Sequence, residues 1–209
     1  AIGFAPWLME DTPEGKGFDL MREEMELMPS IGCLRIAAAP GGVPAGEPLD
    51  LFMAGRRYRE LIEMGKNIGI MPQLEFWGAS PVLYHFAQIM MIAAAANHPD
   101  VHLLPDVYHL FRGGSGFEGL KMLSGNVIEI FHMNDFVDTI PREEQKDEDR
   151  VYPGDGVAPL EEILTDLSRS GGTKVLSVEL FNPEYWKQDA LLVARTALEK
   201  MKELVGRVS

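Results

Sequence analysis

Residues 126–135 read NVIEIFHMND, an apolar run that closes on an imidazole, an amide and a carboxylate. Apart from Glu129, the run is apolar on both faces of a strand, which is the pattern of a parallel sheet covered by helices rather than of a sheet with one wet face. Five further runs of strand character stand near residues 2–5, 33–39, 69–77, 101–106 and 174–181. Most intervals between them carry helical periodicity, so the chain alternates βαβα.

The helical intervals carry their own punctuation. Ser80-Pro81 pairs a capping hydroxyl with a proline that has no amide hydrogen to leave unsatisfied, and predicts a helix start there. Pro159 opens LEEILTDLSRS, which Gly171-Gly172 stops. In the last segment Leu191, Ala194, Leu198, Met201 and Val205 recur at three- and four-residue steps, which predicts one apolar helix face. From Phe86 to Ala96 only Gln88 is polar, but this stretch is shorter than the roughly 20 residues a membrane span needs and reads as a buried helix.

No linker or shift in composition divides the 209 residues, so a single α/β domain over 1–209 is the economical reading. A closed (β/α)8 barrel wants eight strands and typically about 250 residues. Six strands leave an open sheet, or a barrel whose first two β/α units are not in this chain.

Charge narrows the partners. With 19 basic against 32 acidic residues the net charge is -13, which repels a polyanion, so nucleic acid is a poor expectation. Cys33 is the single cysteine, lies in an apolar run and reads as an inert core thiol in a reducing compartment. The start, AIGFAPWL, lacks the basic and long apolar regions of a signal peptide, and the expectation is a cytoplasmic protein with no membrane segment.

At or near the ends of four successive runs stand Glu75, Asp106, His132 and Glu179. A lone Glu there is most often solvated, a lone His is most often a core imidazole, and Asp106 alone reads as a helix cap. Four in order describe a site for a hard or borderline divalent cation. Their separations are 31, 26 and 47 residues, and the first two match one βα unit each. Parallel strands return to the same end of the sheet, so the side chains can converge. One imidazole among three carboxylates favours Mn²⁺ or Mg²⁺, with Co²⁺ or Zn²⁺ also compatible.

The neighbours of these residues are distinctive: EFWG at 75–78, DVYH at 106–109, HMND at 132–135, RVYPGDG at 150–156 and VELFNPEYW at 178–186. Together they resemble the xylose isomerase-like TIM-barrel superfamily, in its sugar phosphate isomerase/epimerase branch, over roughly residues 70–190. The resemblance implies an eight-stranded barrel of which this chain matches strands three to eight. It implies Glu75, Asp106, His132 and Glu179 as ligands of one divalent metal ion, Mn²⁺ first, with Glu75 and Glu179 also moving protons. It makes His109 and Arg150 substrate contacts, with Arg142 as the substitute if the long loop displaces Arg150. Trp77 reads as an apolar wall for a sugar ring or a core tryptophan, and Asp135 as an orienting group or a cap. His85, His98 and His102 stand outside the converging ends. The usual PGEG turn of the family is PGDG here.

The implied activity is metal-dependent isomerisation or epimerisation of a sugar or sugar phosphate, by proton transfer through a metal-stabilised enediolate. Lyases of the same fold, which dehydrate inosose or dehydroshikimate, are the alternative. Apurinic endonucleases of the superfamily carry additional histidines after the HxND strand, and residues 136–156 contain none. A non-catalytic sugar-binding relative is the remaining reading. The resemblance further implies a homodimer. The polar loop 136–156 follows the His132 strand; its charge run 142–150 reads as solvated surface, with a lid over the site as the alternative.

Overall fold

Parallel strands carry the fold. A computed structural model of the chain describes every residue except Glu14, Ala45 and Ser209, and of Thr12 the backbone alone. Two compact units emerge, residues 1–104 and 105–209.

In the first unit, β1 (Ile2–Gly3), β4 (Arg35–Ala38), β5 (Met71–Glu75) and β6 (Leu103–Leu104) form one all-parallel sheet in that order. A hairpin of β2 (Asp11–Thr12) and β3 (Gly15–Lys16) leads into α1 (Gly17–Leu27). Helix α2 (Leu51–Ile68) follows β4 and α3 (Phe86–Ala96) follows β5, which gives the right order of crossovers for parallel pairing. Asp50 caps α2 by accepting from the amides of Phe52 and Met53, and Gly69 ends it at φ 90°.

The apolar run from Phe86 is α3, with Phe86, Ile89, Ile92 and Ala96 buried. Its start differs from the expected one. Ser80 Oγ does accept from the amides of Val82 and Leu83, as a cap would. The amides of Tyr84 and His85, however, both donate to Gln88 Oε1, and His85 Nδ1 accepts from Ala87 N, so the helix begins six residues after Ser80. A capping box with histidine in the serine position overrides the Ser-Pro signal.

In the second unit, β7 (Ile130–Met133) pairs in parallel with β8 (Val175–Val178), placing His132 opposite Ser177. A single parallel bridge joins Asp106 to His132. The helices are α4 (Val107–Arg112), α5 (Leu160–Arg169), the one-turn α6 (Pro183–Trp186) and α7 (Ala190–Val208). Pro159 precedes α5, and Gly171 and Gly172 follow it with φ of 78° and 73°, as the sequence predicts. Helix α7 carries its apolar face largely uncovered. Ala197 and Leu204 are the buried residues, whereas Leu191, Leu198 and Val205 of the predicted stripe are exposed. The stripe instead borders a cleft of about 570 Å³ between β8, α6 and α7, lined by Val178, Leu180, Tyr185, Ala194 and Met201. Among the described residues no helix is long and apolar enough to cross a membrane.

The close approach of α2 to α3 depends on Gly55. A Cβ there would lie 2.5 Å from Ala95 Cβ and 2.9 Å from Ile92 O. Helix propensity alone favours alanine by about 1 kcal/mol, whereas overpacking costs about 1–3 kcal/mol. We therefore expect Gly55→Ala to lower stability in urea denaturation; a midpoint at or above that of the wild type would contradict this packing.

Candidate metal centre

Asp106 is fully buried at the start of α4. Its Oδ1 accepts from the amide of His109 at 2.8 Å and its Oδ2 from Asn134 Nδ2 at 2.7 Å. The cap reading and the ligand reading are thus compatible, because one oxygen serves the helix and the other faces the cluster. His132 lies on β7, and its amide donates to Pro105 O at 2.9 Å, so strand pairing sets its ring beside Asp106. Glu179, the residue after β8, is fixed by its amide donating to Met133 O at 3.1 Å.

These three residues offer ligand atoms that all lie within 4.8 Å of one another. His132 Nδ1 is 3.6 Å from Glu179 Oε2 and 4.0 Å from Asp106 Oδ2. Donors bound to one ion at roughly 2.1 Å stand about 3–4 Å apart, so the spacing fits a divalent metal. An imidazole with two carboxylates is a suitable donor set for Mn²⁺ or Zn²⁺.

Arg150 is the cation of this cluster, and its side chain is 1% exposed. Its Nη1 donates to Glu179 Oε2 at 2.8 Å and lies 3.7 Å from Asp106 Oδ2; its Nη2 donates to Asp147 Oδ1. The guanidinium carbon sits 4.6 Å from the Tyr108 ring centroid and 5.1 Å from that of Phe181. Burial opposes the charge on Arg150, but Asp106, Asp147 and Glu179 outweigh it and hold its pKa above the ordinary value. Burial likewise opposes ionisation of Asp106, and the Arg150 guanidinium with the amide of His109 helps reverse the balance and keep its pKa low. Arg142, by contrast, pairs with Glu143 at the surface, so the longer loop has not displaced Arg150 from the ligands.

His109 is buried, with Nε2 3.2 Å from Arg150 Nη2. Arginine has no acceptor, so Nε2 accepts and the proton of the neutral ring is on Nδ1. Burial pushes its pKa down to about 4.

The loop 136–156 is fastened along its length. Gln145 is buried, and its Nε2 donates to the carbonyls of Val137 and Ile140. Arg112 donates to the carbonyls of Gln145 and Glu143. The charge run is therefore surface for Glu143, Glu144, Asp147 and Glu148 but not for Gln145 or Arg150. Asp135 is buried, accepts from the amides of Phe136, Gly154, Gly156 and Ala158, and ties the PGDG turn down. A Cβ at Gly156 would lie 2.4 Å from that carboxylate, which accounts for the glycine. Two residues of the cluster escape the sequence reading. Asn134 holds Asp106 and Tyr108 N, and its place in HMND was the available signal. Asp147 gave none, being one acid among several.

Glu75 and Trp77 belong to the first unit. Glu75 is the buried last residue of β5, and Trp77 is half-buried with its ring 6.2 Å from that of Phe4. Of the other histidines of the first unit, His85 caps α3, His98 pairs with Glu63, and the His102 backbone holds the Tyr58 hydroxyl.

The family model of the xylose isomerase-like TIM barrel matches residues 2–204. Inosose isomerase of Bacillus licheniformis is 37% identical over 149 residues, which are 71% of this chain and 53% of that protein. For the inosose isomerase of Halalkalibacterium halodurans the identity is 34%, over 71% of this chain and 52% of that protein. The chain thus spans about half the length of the curated relatives it matches. Among solved structures, the IOLI protein with a bound zinc atom has a TM-score of 0.83 and 28% identity, over 96% of this chain and 74% of that one. L-ribulose 3-epimerase, at 16% identity and a TM-score of 0.74 over 99% of this chain and 74% of that one, shares the fold.

The burial of His109 has a measurable sign. Its folded pKa of about 4 lies below the unfolded 6.5, so between those values the unfolded chain takes up a proton that the folded chain refuses. This contribution to stability is complete above pH 6.5 and is lost as pH falls to about 4, to the extent of about 3 kcal/mol. In chelator-dialysed protein, NMR should show the His109 ring neutral at pH 5.5; titration near 6.5 would refute the buried neutral imidazole.

Proposed function

Because the chain belongs to the xylose isomerase-like TIM-barrel family, whose α/β-barrel fold it shares, we propose that it is a metal-dependent isomerase or epimerase of a sugar or related polyhydroxy ketone. The observation that carries the proposal is the Asp106–His132–Glu179 triad, with donor atoms spaced for one ion and Arg150 beside it. The family match runs through both units, which supports reading 1–209 as one domain.

Asp106, His132 and Glu179 would hold the ion, and the family resemblance adds Glu75 as the fourth ligand. Bound there, a divalent metal supplies Lewis-acid polarisation of a carbonyl and its neighbouring hydroxyl. Mn²⁺ is the metal we propose from the oxygen-rich donor set; the zinc of the IOLI structure keeps Zn²⁺ as the competitor to test.

The chain's own groups would do the following. The Glu179 carboxylate removes the proton from the carbon beside the substrate carbonyl, and the electron pair left behind moves to the carbonyl oxygen. Return of a proton to the adjacent carbon, with the hydroxyl proton passing to the former carbonyl oxygen, moves the carbonyl; return to the original carbon from the other face, for which Glu75 is the family's candidate, inverts the centre. Arg150, whose Nε has no hydrogen-bond partner among the described residues, is proposed as a contact for a substrate oxygen, and the family resemblance adds His109 as a second. Trp77 is proposed as an apolar wall. The inosose isomerases among the relatives make inosose the first substrate to try.

The test is solvent deuterium uptake. Wild-type protein with Mn²⁺ or Zn²⁺ in ²H₂O should exchange the hydrogen beside the carbonyl of an inosose or a ketose. Glu179→Gln should lower that exchange by about 10³-fold or more while circular dichroism stays unchanged. Exchange at the native rate would remove Glu179 from proton transfer, and a product lighter by one water would move the activity to the lyase class.

A further inference from the structure

The guanidinium of Arg150 does more than the proposed reaction asks of it. The oxygen offered to an ion, Glu179 Oε2, is the atom that accepts from Arg150 Nη1, and Asp106 Oδ2 is 3.7 Å from the same nitrogen. Clamped between Tyr108 and Phe181 and shielded from water, this cation is held in place and is not screened. Arginine cannot shed its proton to relieve the crowding. A dication held by Asp106 and Glu179 must therefore share their charge with a permanent neighbour, and like charges a few ångströms apart in a buried site repel strongly.

Among the described residues, Arg150 is ion-paired to one carboxylate besides those two ligands, that of Asp147. The Asp147 side chain is half-exposed, but its backbone is anchored. Next to it Lys146 N donates to Asp149 Oδ2, and Arg112 grips the carbonyls of Glu143 and Gln145 just before it. On the far side, Asn182 Nδ2 donates to Arg150 O at 3.0 Å. Asp147 is thus placed to draw positive charge away from the ligand oxygens.

We infer that the Asp147–Arg150 pair sets the cation affinity of the metal site: Arg150 weakens binding by competing for Glu179 and Asp106, and Asp147 restores it by engaging the guanidinium from the loop side. Asp147 is a positioning residue in this scheme, acting through Arg150. The inference rests on the metal reading proposed above.

The experiment measures Mn²⁺ and Zn²⁺ affinity by calorimetry, without substrate, on the 209-residue chain. Arg150→Gln should tighten binding by about tenfold or more, and Asp147→Asn should weaken it by about tenfold. Asp147→Glu, which keeps the carboxylate, should recover most of the loss. Glu148→Gln is the control, because Glu148 is a neighbouring acid that pairs with Lys146 rather than Arg150, and it should stay within about twofold of wild type. In the double variant the Asp147→Asn effect should vanish. Equal losses in Asp147→Asn and Glu148→Gln, or additive effects in the double variant, would reduce the pair to bulk charge and overturn the inference. If Arg150→Gln does not fold, the Asp147→Asn, Asp147→Glu and Glu148→Gln comparison decides it. A wild type that binds neither ion overturns the metal reading and this inference with it; a wild type that binds while Asp147→Asn does not shift overturns the inference alone.

Discussion

Burying the Asp106 carboxylate constrains the whole second unit. A charge without solvent must be answered within a few ångströms or it neutralises. Asp106 is answered by an amide of α4, the side-chain amide of Asn134 and the guanidinium of Arg150. Each answer is a structural demand. The amide fixes where α4 begins, Asn134 must be carried past the end of β7, and Arg150 must be brought in by a loop that its own anchors keep closed. Arg150 in turn requires Glu179, Asp147 and two aromatic faces, so one buried oxygen pair organises residues from α4, β7, the 136–156 loop and the end of β8.

The division of labour follows from the secondary structure. Strand ends supply His132 and Glu179, whose backbones are held by ladder bonds, so the donor spacing is determined by register rather than by side-chain freedom. The loop supplies the charge that balances them. Its fastening by Gln145 and Arg112 resembles a brace more than a lid, and Asp135 performs the same service for the glycine turn that follows. The site thus combines strand-held donor groups with a loop-borne counter-charge.

Much of this was legible in the sequence because it is periodic or local. The six strand runs recur within a few residues of their observed bounds, since a short run that is apolar on both faces needs cover on both, and a parallel sheet under helices provides it. The Asp106, His132 and Glu179 cluster was legible from spacing, because parallel strands place successive ends together. What was not legible depends on partners remote in sequence. Whether Arg142 or Arg150 reaches the ligands is decided by Tyr108, Phe181 and Glu179, none of them near in sequence to either arginine. Asp147 is indistinguishable from Glu148 until its direction is known. The α7 stripe was legible as one apolar face, but its exposure was not, because periodicity reports a face and not what covers it. The start of α3 moved because a glutamine side chain took two amides that the Ser-Pro signal had assigned to a helix.

That uncovered stripe bears on how the molecule behaves in bulk. Leu191, Leu192 and Leu198 are about half exposed, and among the described residues β8 is paired on its β7 side alone. Sticky side chains beside an open strand edge invite self-association. The opposing force is the net charge of -13, which keeps like molecules apart at neutral pH. Acidification titrates away that repulsion while leaving the leucines as they are, so colloidal stability and chemical stability share a dependence on ionised carboxylates for unrelated reasons.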